Sequence, residues 1–168
     1  IRIGEAMRTR LLRVDEEIEA ERSVSEGEGS IAHDVAVEVR AGQEVTVEKV
    51  VALVTARANA LYEPGADAEK AVERAGAFER LLERHVLAWN RLWQHFDIKI
   101  EDSERAQTIV RLHVFHLLQT VSTNTIDLDV GVPARGLHGE AYRGHVFWDE
   151  LFIFPLLNVR LPALTRAL

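Results

Sequence analysis

Polar side chains of the kinds that bind and react are concentrated between residues 122 and 150, where glycines separate them. Loops that carry such groups on a rigid scaffold are common places for binding and catalysis. We therefore expect the functional residues here, although Arg135 and Arg143 can also form a purely internal ion-pair network with the carboxylates. The candidates are Asp127, Asp129, Arg135, His138, Glu140, Tyr142, Arg143, His145, Trp148 and Asp149.

The dipeptide Trp148-Asp149 is the most informative pair within this loop. A sugar presents an apolar face of C–H groups, which an indole covers well. Its rim of hydroxyls donates hydrogen bonds that a carboxylate accepts. The pair is therefore a candidate monosaccharide subsite at a loop-to-helix junction. The alternative is an ordinary helix start, because Asp is common at that position.

Histidines suggest a second kind of site, which the sequence supports less well. His113 and His116 lie three residues apart on a predicted helix, close enough to share a face. No specific ligand signature such as HExxH accompanies them. A metal site built on these two histidines would also draw on nearby residues, namely His138, Glu140, His145 and Asp149. We expect packed, hydrogen-bonded histidines and no metal ion.

Trp89 and Trp93 form another aromatic pair, four residues apart. Such a pair can stack on a sugar, but aromatic residues at helical spacing more often face a hydrophobic core. We predict the core role.

The elements that must position these residues begin with β-structure over residues 1–57. Alternation over residues 33–39, a turn at 41–43 and renewed alternation over 44–50 predict a hairpin. The continuously apolar run 50–54 predicts a strand buried on both faces.

The pattern changes to helical spacing after the break at Glu63-Pro64-Gly65. Apolar residues between 72 and 96 predict one long helix or two shorter ones. Asp102 or Ser103 is a suitable N-cap for the next helix, over residues 104–121. That helix is apolar nearly all round, which predicts burial between layers.

Composition excludes several classes of protein. The 168 residues are 47% hydrophobic and 28% charged, with a net charge of −7 and no cysteine. No apolar run approaches the roughly 18 residues of a membrane span, and basic residues form no block that would bind nucleic acid. Disulfides and thiolate chemistry are excluded, which suits a cytoplasmic protein. Ile1 and the unclosed helical pattern from Pro162 predict an internal segment of a longer protein.

The loop Arg135-Gly-Leu-His-Gly-Glu-Ala-Tyr-Arg-Gly-His-Val-Phe-Trp-Asp149 resembles the signature loop of family 65 glycoside hydrolases. Those enzymes include maltose, trehalose, kojibiose and nigerose phosphorylases and acid trehalases. The likeness extends to Phe115-His-Leu-Leu-Gln-Thr120, Glu150-Leu-Phe-Ile-Phe-Pro155 and Val47-Glu-Lys-Val50, and so covers most of the chain.

The resemblance implies a mixed fold, β then α. Residues 1–57 would be the terminal strands of an N-terminal β-sandwich, and residues 58–101 a helical linker. Residues 102–168 would supply the opening helices of a truncated (α/α)6 toroid, the catalytic domain. The strand-then-helix order read from the periodicity agrees with this arrangement.

The resemblance also implies an inverting α-glucoside phosphorylase or hydrolase acting on a disaccharide of the trehalose, maltose or kojibiose type. Trp148 and Asp149 would hold the non-reducing glucose, with Arg143, His145 and Glu140 in supporting roles. The catalytic acid, a glutamate, would lie beyond residue 168, so no catalytic residue is assigned here. Inorganic phosphate would be a co-substrate, with no other cofactor, no metal, no nucleic acid and no membrane partner. The family resemblance allows a homodimer.

One departure leaves the acceptor open. Many phosphorylases of the family read Trp-Asp-Thr-Glu, whereas this chain reads Trp148-Asp149-Glu150-Leu151. The choice between phosphate and water is therefore undecided, as is the linkage. Two alternatives remain beside the enzyme: a non-catalytic carbohydrate-binding relative and a structural helical module.

Overall fold

The computed structural model describes residues 1–56, 63–122, 126, 128, 130–132 and 144–167. Strands occupy the N-terminal part of these residues and helices the remainder, which confirms the predicted order of β then α. The chain divides into two compact units, residues 1–85 and residues 86–168.

Two separate antiparallel sheets form the described β-structure of the first unit. Strands β1 (Ile3–Arg13), β2 (Glu16–Glu17) and β5 (Thr46–Thr55) make one sheet in the order β2-β1-β5. Strands β3 (Glu21–Gly27) and β4 (Ser30–Ala36) make a hairpin. Its turn contains Gly29 at φ 68°, a left-handed conformation that glycine adopts without strain.

The predicted hairpin between residues 33–39 and 44–50 is wrong. β5 pairs with β1 along almost its whole length, from Ile3 opposite Thr55 to Leu12 opposite Thr46. Alternation indicates that a segment is a strand, but it does not identify the partner strand.

The run 50–54 is also less buried than predicted. Val50 is 7% exposed, whereas Val51 and Leu53 are 47% and 65% exposed on the other face. Within the described residues, β5 is therefore covered on one face only. The covering element is helix α1 (Pro64–Ala75), which packs on β1 and β5 and buries Ala68 and Val72.

Gly4 allows the first turn of α1 to approach the sheet. A Cβ atom on Gly4 would overlap the backbone of Pro64 and the backbone nitrogen of Gly65. Pro64 suits the start of this helix because its missing N–H would lack a helical partner there in any case.

A buried carboxylate joins β5 to the next helix, α2 (Phe78–Phe96). Glu48 accepts hydrogen bonds from Arg10 Nε at 2.7 Å and from the Phe78 backbone N–H at 2.7 Å. Arg8 lies 3.4 Å from the same carboxylate and also donates to the Gly76 carbonyl. Burial raises the pKa of Glu48, but the Phe78 and Arg10 hydrogen bonds and the two guanidinium charges outweigh it and lower the pKa overall.

The helices within residues 63–122 begin and end near their predicted positions. The predicted helical region from 72 to 96 is two helices, because α1 ends before Gly76, whose φ of 75° ends the helical conformation. Helix α3 spans Glu104–Thr120, and the Ser103 hydroxyl accepts from the Ala106 backbone N–H at 3.2 Å. The predicted N-cap is thereby confirmed as Ser103.

The core of the second unit lies between α2, α3 and helices α4 (Glu150–Arg160) and α5 (Pro162–Thr165). Trp89 and Trp93 pack against this core, which confirms the core role predicted for them. Complete burial of α3 is not observed in the described residues, because Ile109 and Leu112 are 43% and 50% exposed. The buried apolar residues of this core are Phe96, Val114, Leu118, Val121, Val132, Leu157 and Leu164.

No helix among the described residues is long and apolar enough to cross a membrane. The domain boundaries expected after residues 57 and 101 stay predictions.

Candidate functional site

Trp148 and Asp149 lie in a single turn that leads into α4. The backbone N–H of Glu150 donates to the Phe147 carbonyl at 3.2 Å, and that of Leu151 to the Trp148 carbonyl at 3.1 Å. These bonds fix consecutive residues in a tight, helix-like turn. The two side chains predicted to bind glucose therefore project from adjacent positions of an ordered segment.

The indole of Trp148 is accessible and is supported by two other rings. Trp148 is 60% exposed. Phe152, one helical turn later, meets it edge to face, with ring centroids 5.6 Å apart and planes at 72°. Phe147 lies 6.2 Å away at 43°. Such contacts hold an aromatic ring in place while leaving surface for a ligand.

Asp149 carries a carboxylate oxygen that no described residue satisfies. Its Oδ2 atom is buried and makes no hydrogen bond to any described residue. Although Asp149 stands at the N-cap position of α4, its side chain caps no backbone N–H. An unsatisfied buried acceptor costs about 1–3 kcal/mol. A ligand hydroxyl that donates to Oδ2 would remove that cost.

Glu150 has a different role from its neighbours. It is only 6% exposed, and its Oε1 atom accepts a hydrogen bond of 2.7 Å from the Val132 backbone N–H. The sequence did not indicate this contact, because an acidic residue in the first turn of a helix is usually a solvated one that favours the helix dipole.

Two glycines allow the chain to approach Glu150 closely. The Gly131 backbone N–H donates to the Gly144 carbonyl at 2.6 Å, and Gly144 has φ 75°. A Cβ atom on Gly131 would overlap Glu150 Oε1 and would lie 2.7 Å from the His145 carbonyl oxygen. Residues 130–132 and 144–145 are thus held against the start of α4.

The supporting residues are only partly described. The side chain of His145 is exposed and makes no hydrogen bond to Asp149 in the described part of the chain. Glu140 and Arg143 lie outside the described residues, as do Asp127, Asp129, Arg135, His138 and Tyr142.

No group of three or more His, Asp or Glu side chains within the described ranges is arranged to hold a metal ion. The ring of His116 instead lies 5.7 Å from the ring of Phe115. The expectation that the protein binds no metal stays a prediction.

Two family models match the chain in succession. The N-terminal domain of glycosyl hydrolase family 65 matches residues 1–92. The central catalytic domain of the same family matches residues 111–168, which include Trp148 and Asp149.

Individual relatives agree with these matches. An uncharacterized glycosyl hydrolase of Mycobacterium tuberculosis is 44% identical over all 168 residues, which are 13% of that protein. A kojibiose phosphorylase of Caldanaerobacter subterraneus subsp. tengcongensis is 42% identical over 54% of this chain and 12% of its own length. A trehalose 6-phosphate phosphorylase of Lactococcus lactis is 32% identical over 86% of this chain and 19% of its own length. The chain thus spans less than a fifth of each relative. It belongs to glycosyl hydrolase family 65.

Proposed function

We propose that this chain is part of a longer enzyme that cleaves an α-linked glucose disaccharide with inversion, and that it supplies the subsite for the non-reducing glucose. Trp148 covers the apolar face of that glucose, and Asp149 accepts hydrogen bonds from its hydroxyls. The observation that carries the proposal is the buried Asp149 Oδ2, which has no hydrogen-bond partner among the described residues, one residue after an indole that is 60% exposed.

The energetics favour a sugar over an apolar ligand. An apolar ligand would leave Oδ2 unsatisfied, at a cost of about 1–3 kcal/mol, whereas a hydroxyl donor satisfies it. Hydrogen bonds to a carboxylate contribute more than neutral ones do. Stacking on the indole adds apolar burial without a requirement for charge.

The reaction requires an acid that this chain does not provide. In an inverting enzyme, one carboxylic acid protonates the glycosidic oxygen while the acceptor attacks the anomeric carbon from the opposite face. Glu150 is unsuitable for this role, because its carboxylate is buried and bonded to Val132. We assign the acid to a glutamate outside the chain, and no catalytic residue to residues 1–168.

Inorganic phosphate is the acceptor we favour. Two of the relatives described above carry the name of a phosphorylase. Phosphate attack would break the bond between the anomeric carbon and the glycosidic oxygen, and the acid's proton would go to the leaving sugar. The product would be β-glucose 1-phosphate. Water as the acceptor would give free glucose instead.

The proposal also covers the architecture, the supporting residues, the cellular location and the oligomeric state. The strands would end an N-terminal β-sandwich, and α3, α4 and α5 would open an (α/α)6 toroid. Glu140, Arg143 and His145 would shape the loop around Asp149. A cytoplasmic location would suit a chain without cysteine, and the family resemblance allows a homodimer.

The test uses the full-length protein that contains this chain. Trehalose, trehalose 6-phosphate, maltose, kojibiose and nigerose are each incubated with and without phosphate, and the products are separated by chromatography. Phosphate-dependent β-glucose 1-phosphate supports the proposal, and the preferred sugar names the substrate. Glucose formed without phosphate makes the protein a hydrolase. Binding without cleavage supports a carbohydrate-binding relative, and neither binding nor cleavage supports a structural helical module.

A further inference from the structure

We infer that Glu150 is a positioning residue of the glucose subsite, and that it acts through its hydrogen bond to the Val132 backbone. This inference rests on the proposed function of Trp148 and Asp149. Glu150 itself faces away from solvent, with 6% of its surface exposed, so its contribution is to place its neighbours.

The bond between Glu150 and Val132 lies directly beside the candidate site. Glu150 is the first residue of α4, and Asp149 immediately precedes it. Its Oε1 atom accepts from Val132, 18 residues earlier, at 2.7 Å. The bond therefore ties the turn that carries Trp148 and Asp149 to a segment distant in sequence. A site held by such a contact has less freedom to move than one on an isolated helix end.

The segment that Glu150 contacts is itself tied to a second segment of the chain. The Gly131 N–H donates to the Gly144 carbonyl, so the chain segments around residues 131 and 144 lie side by side. The first of these segments contacts Glu150. No side chain fits at Gly131, because its Cβ would overlap the Glu150 carboxylate. Residues 133–143 connect these two segments and include Glu140 and Arg143. Glu150 thus sits where the stem of that loop meets the glucose-binding turn.

The Glu150 carboxylate acts in this contact as a hydrogen-bond acceptor. A backbone N–H requires an acceptor, and Glu150 supplies one in a buried place. A glutamine would keep that acceptor, whereas an alanine would remove it and an aspartate would withdraw it by one methylene. The inference therefore predicts that the acceptor matters and the charge does not.

The experiment compares Glu150→Ala, Glu150→Asp and Glu150→Gln in the full-length protein. The matched control is Glu104→Gln, because Glu104 is an exposed residue in the first turn of α3. KM and kcat are measured for the disaccharide that the wild type cleaves. The dissociation constant for D-glucose is measured by calorimetry, and thermal unfolding reports stability.

We expect Glu150→Ala and Glu150→Asp to raise KM and the glucose dissociation constant about 10- to 100-fold, because misplaced binding groups lose affinity. Glu150→Gln should stay within about twofold of the wild type, as should Glu104→Gln. A purely structural role would lower the amount of active protein, and hence the apparent kcat, without changing KM. If Glu150→Ala does not fold, the comparison of Glu150→Asp with Glu150→Gln carries the test.

Three results would overturn the inference. In the first, wild-type KM persists in both Glu150→Ala and Glu150→Asp. In the second, Glu150→Gln is as impaired as Glu150→Ala, which would assign the effect to charge. In the third, the wild type neither cleaves a disaccharide nor binds glucose, which would remove the proposed function as well; the first two results leave that function intact.

Discussion

Glu48 and Phe78, thirty residues apart, are joined by a hydrogen bond of 2.7 Å from the Phe78 backbone N–H to the Glu48 carboxylate. The same carboxylate pairs with Arg10 on the adjacent strand. A buried acid therefore connects the sheet to the first residue of α2. The contact ties the start of α2 to β5.

Replacement of Glu48 by alanine should destabilise the protein strongly. It leaves Arg8 and Arg10 without their buried counter-ion and the Phe78 N–H without an acceptor. Removal of one partner from a buried pair costs about 3 kcal/mol. We expect a lower melting temperature and faster amide hydrogen exchange in β5. The control is Glu44→Ala, an exposed acid just before that strand, which should change neither quantity.

The free energy of unfolding should depend on pH through the ionisation of Glu48. The pKa of Glu48 is lowered below its ordinary value of 4.5, so the unfolded state binds more protons as the pH falls. The stability that Glu48 contributes is fully present above pH 4.5 and is lost as the pH falls through the lowered pKa. Denaturant titrations of wild type and Glu48→Gln should therefore converge in acid. Parallel pH profiles for the two proteins would contradict this assignment.

Val14 is an unfavourable residue at its position. Val14 and Asp15 form the two-residue turn between β1 and β2, with φ values of 51° and 66°. β-Branched residues adopt this conformation poorly, whereas asparagine is favoured in such turns. Val14→Asn should raise the free energy of unfolding by about 1 kcal/mol. Val24→Asn, within strand β3, is the control and should not stabilise the protein.

Gly131 should tolerate no side chain. Gly131→Ala places a Cβ against the Glu150 carboxylate and the His145 carbonyl, so the site must shift. We expect weaker glucose binding and a loss of about 1–3 kcal/mol in stability. The control is Gly65→Ala in α1, where a Cβ would meet nothing within 4 Å. Equal glucose affinity in Gly131→Ala and wild type would show that this approach does not shape the site.

Asp149 should lower the stability of the unliganded protein. Its Oδ2 is buried with no hydrogen-bond partner in the described part of the chain, which costs about 1–3 kcal/mol, more than the 0.3–1 kcal/mol that an acid contributes near a helix N-terminus. Asp149→Ala should therefore unfold at a temperature equal to or above that of the wild type without ligand. A clear drop in that temperature would mean that Asp149 is a structural residue.

Much of the fold was predictable from local patterns. Ser103 could be identified as a cap because a helix start leaves backbone N–H groups that a hydroxyl satisfies. The change of period after Pro64 marked the passage from strands to helices. The partner of β5 could not be predicted, because alternation is a property of one strand and pairing depends on the long-range packing of α1 on β1.

The candidate site could be proposed from the sequence where residue type alone carries the chemistry. Trp148 and Asp149 stand out because an indole beside a carboxylate suits a sugar. The role of Glu150 was not predictable, because its bond to Val132 spans a loop whose course the sequence does not specify. The burial of one Asp149 oxygen likewise depends on tertiary packing.

The affinity of the full-length protein for D-glucose tests the central claim most directly, that Trp148 and Asp149 form its glucose subsite. Calorimetry would compare wild type, Asp149→Ala and Trp148→Ala, with Asp102→Ala, an exposed acid before α3, as the control. We predict that the two site variants weaken binding by about tenfold or more, as loss of a charged hydrogen bond or an aromatic stack requires, while Asp102→Ala binds like the wild type. Wild-type affinity in both site variants would contradict the account.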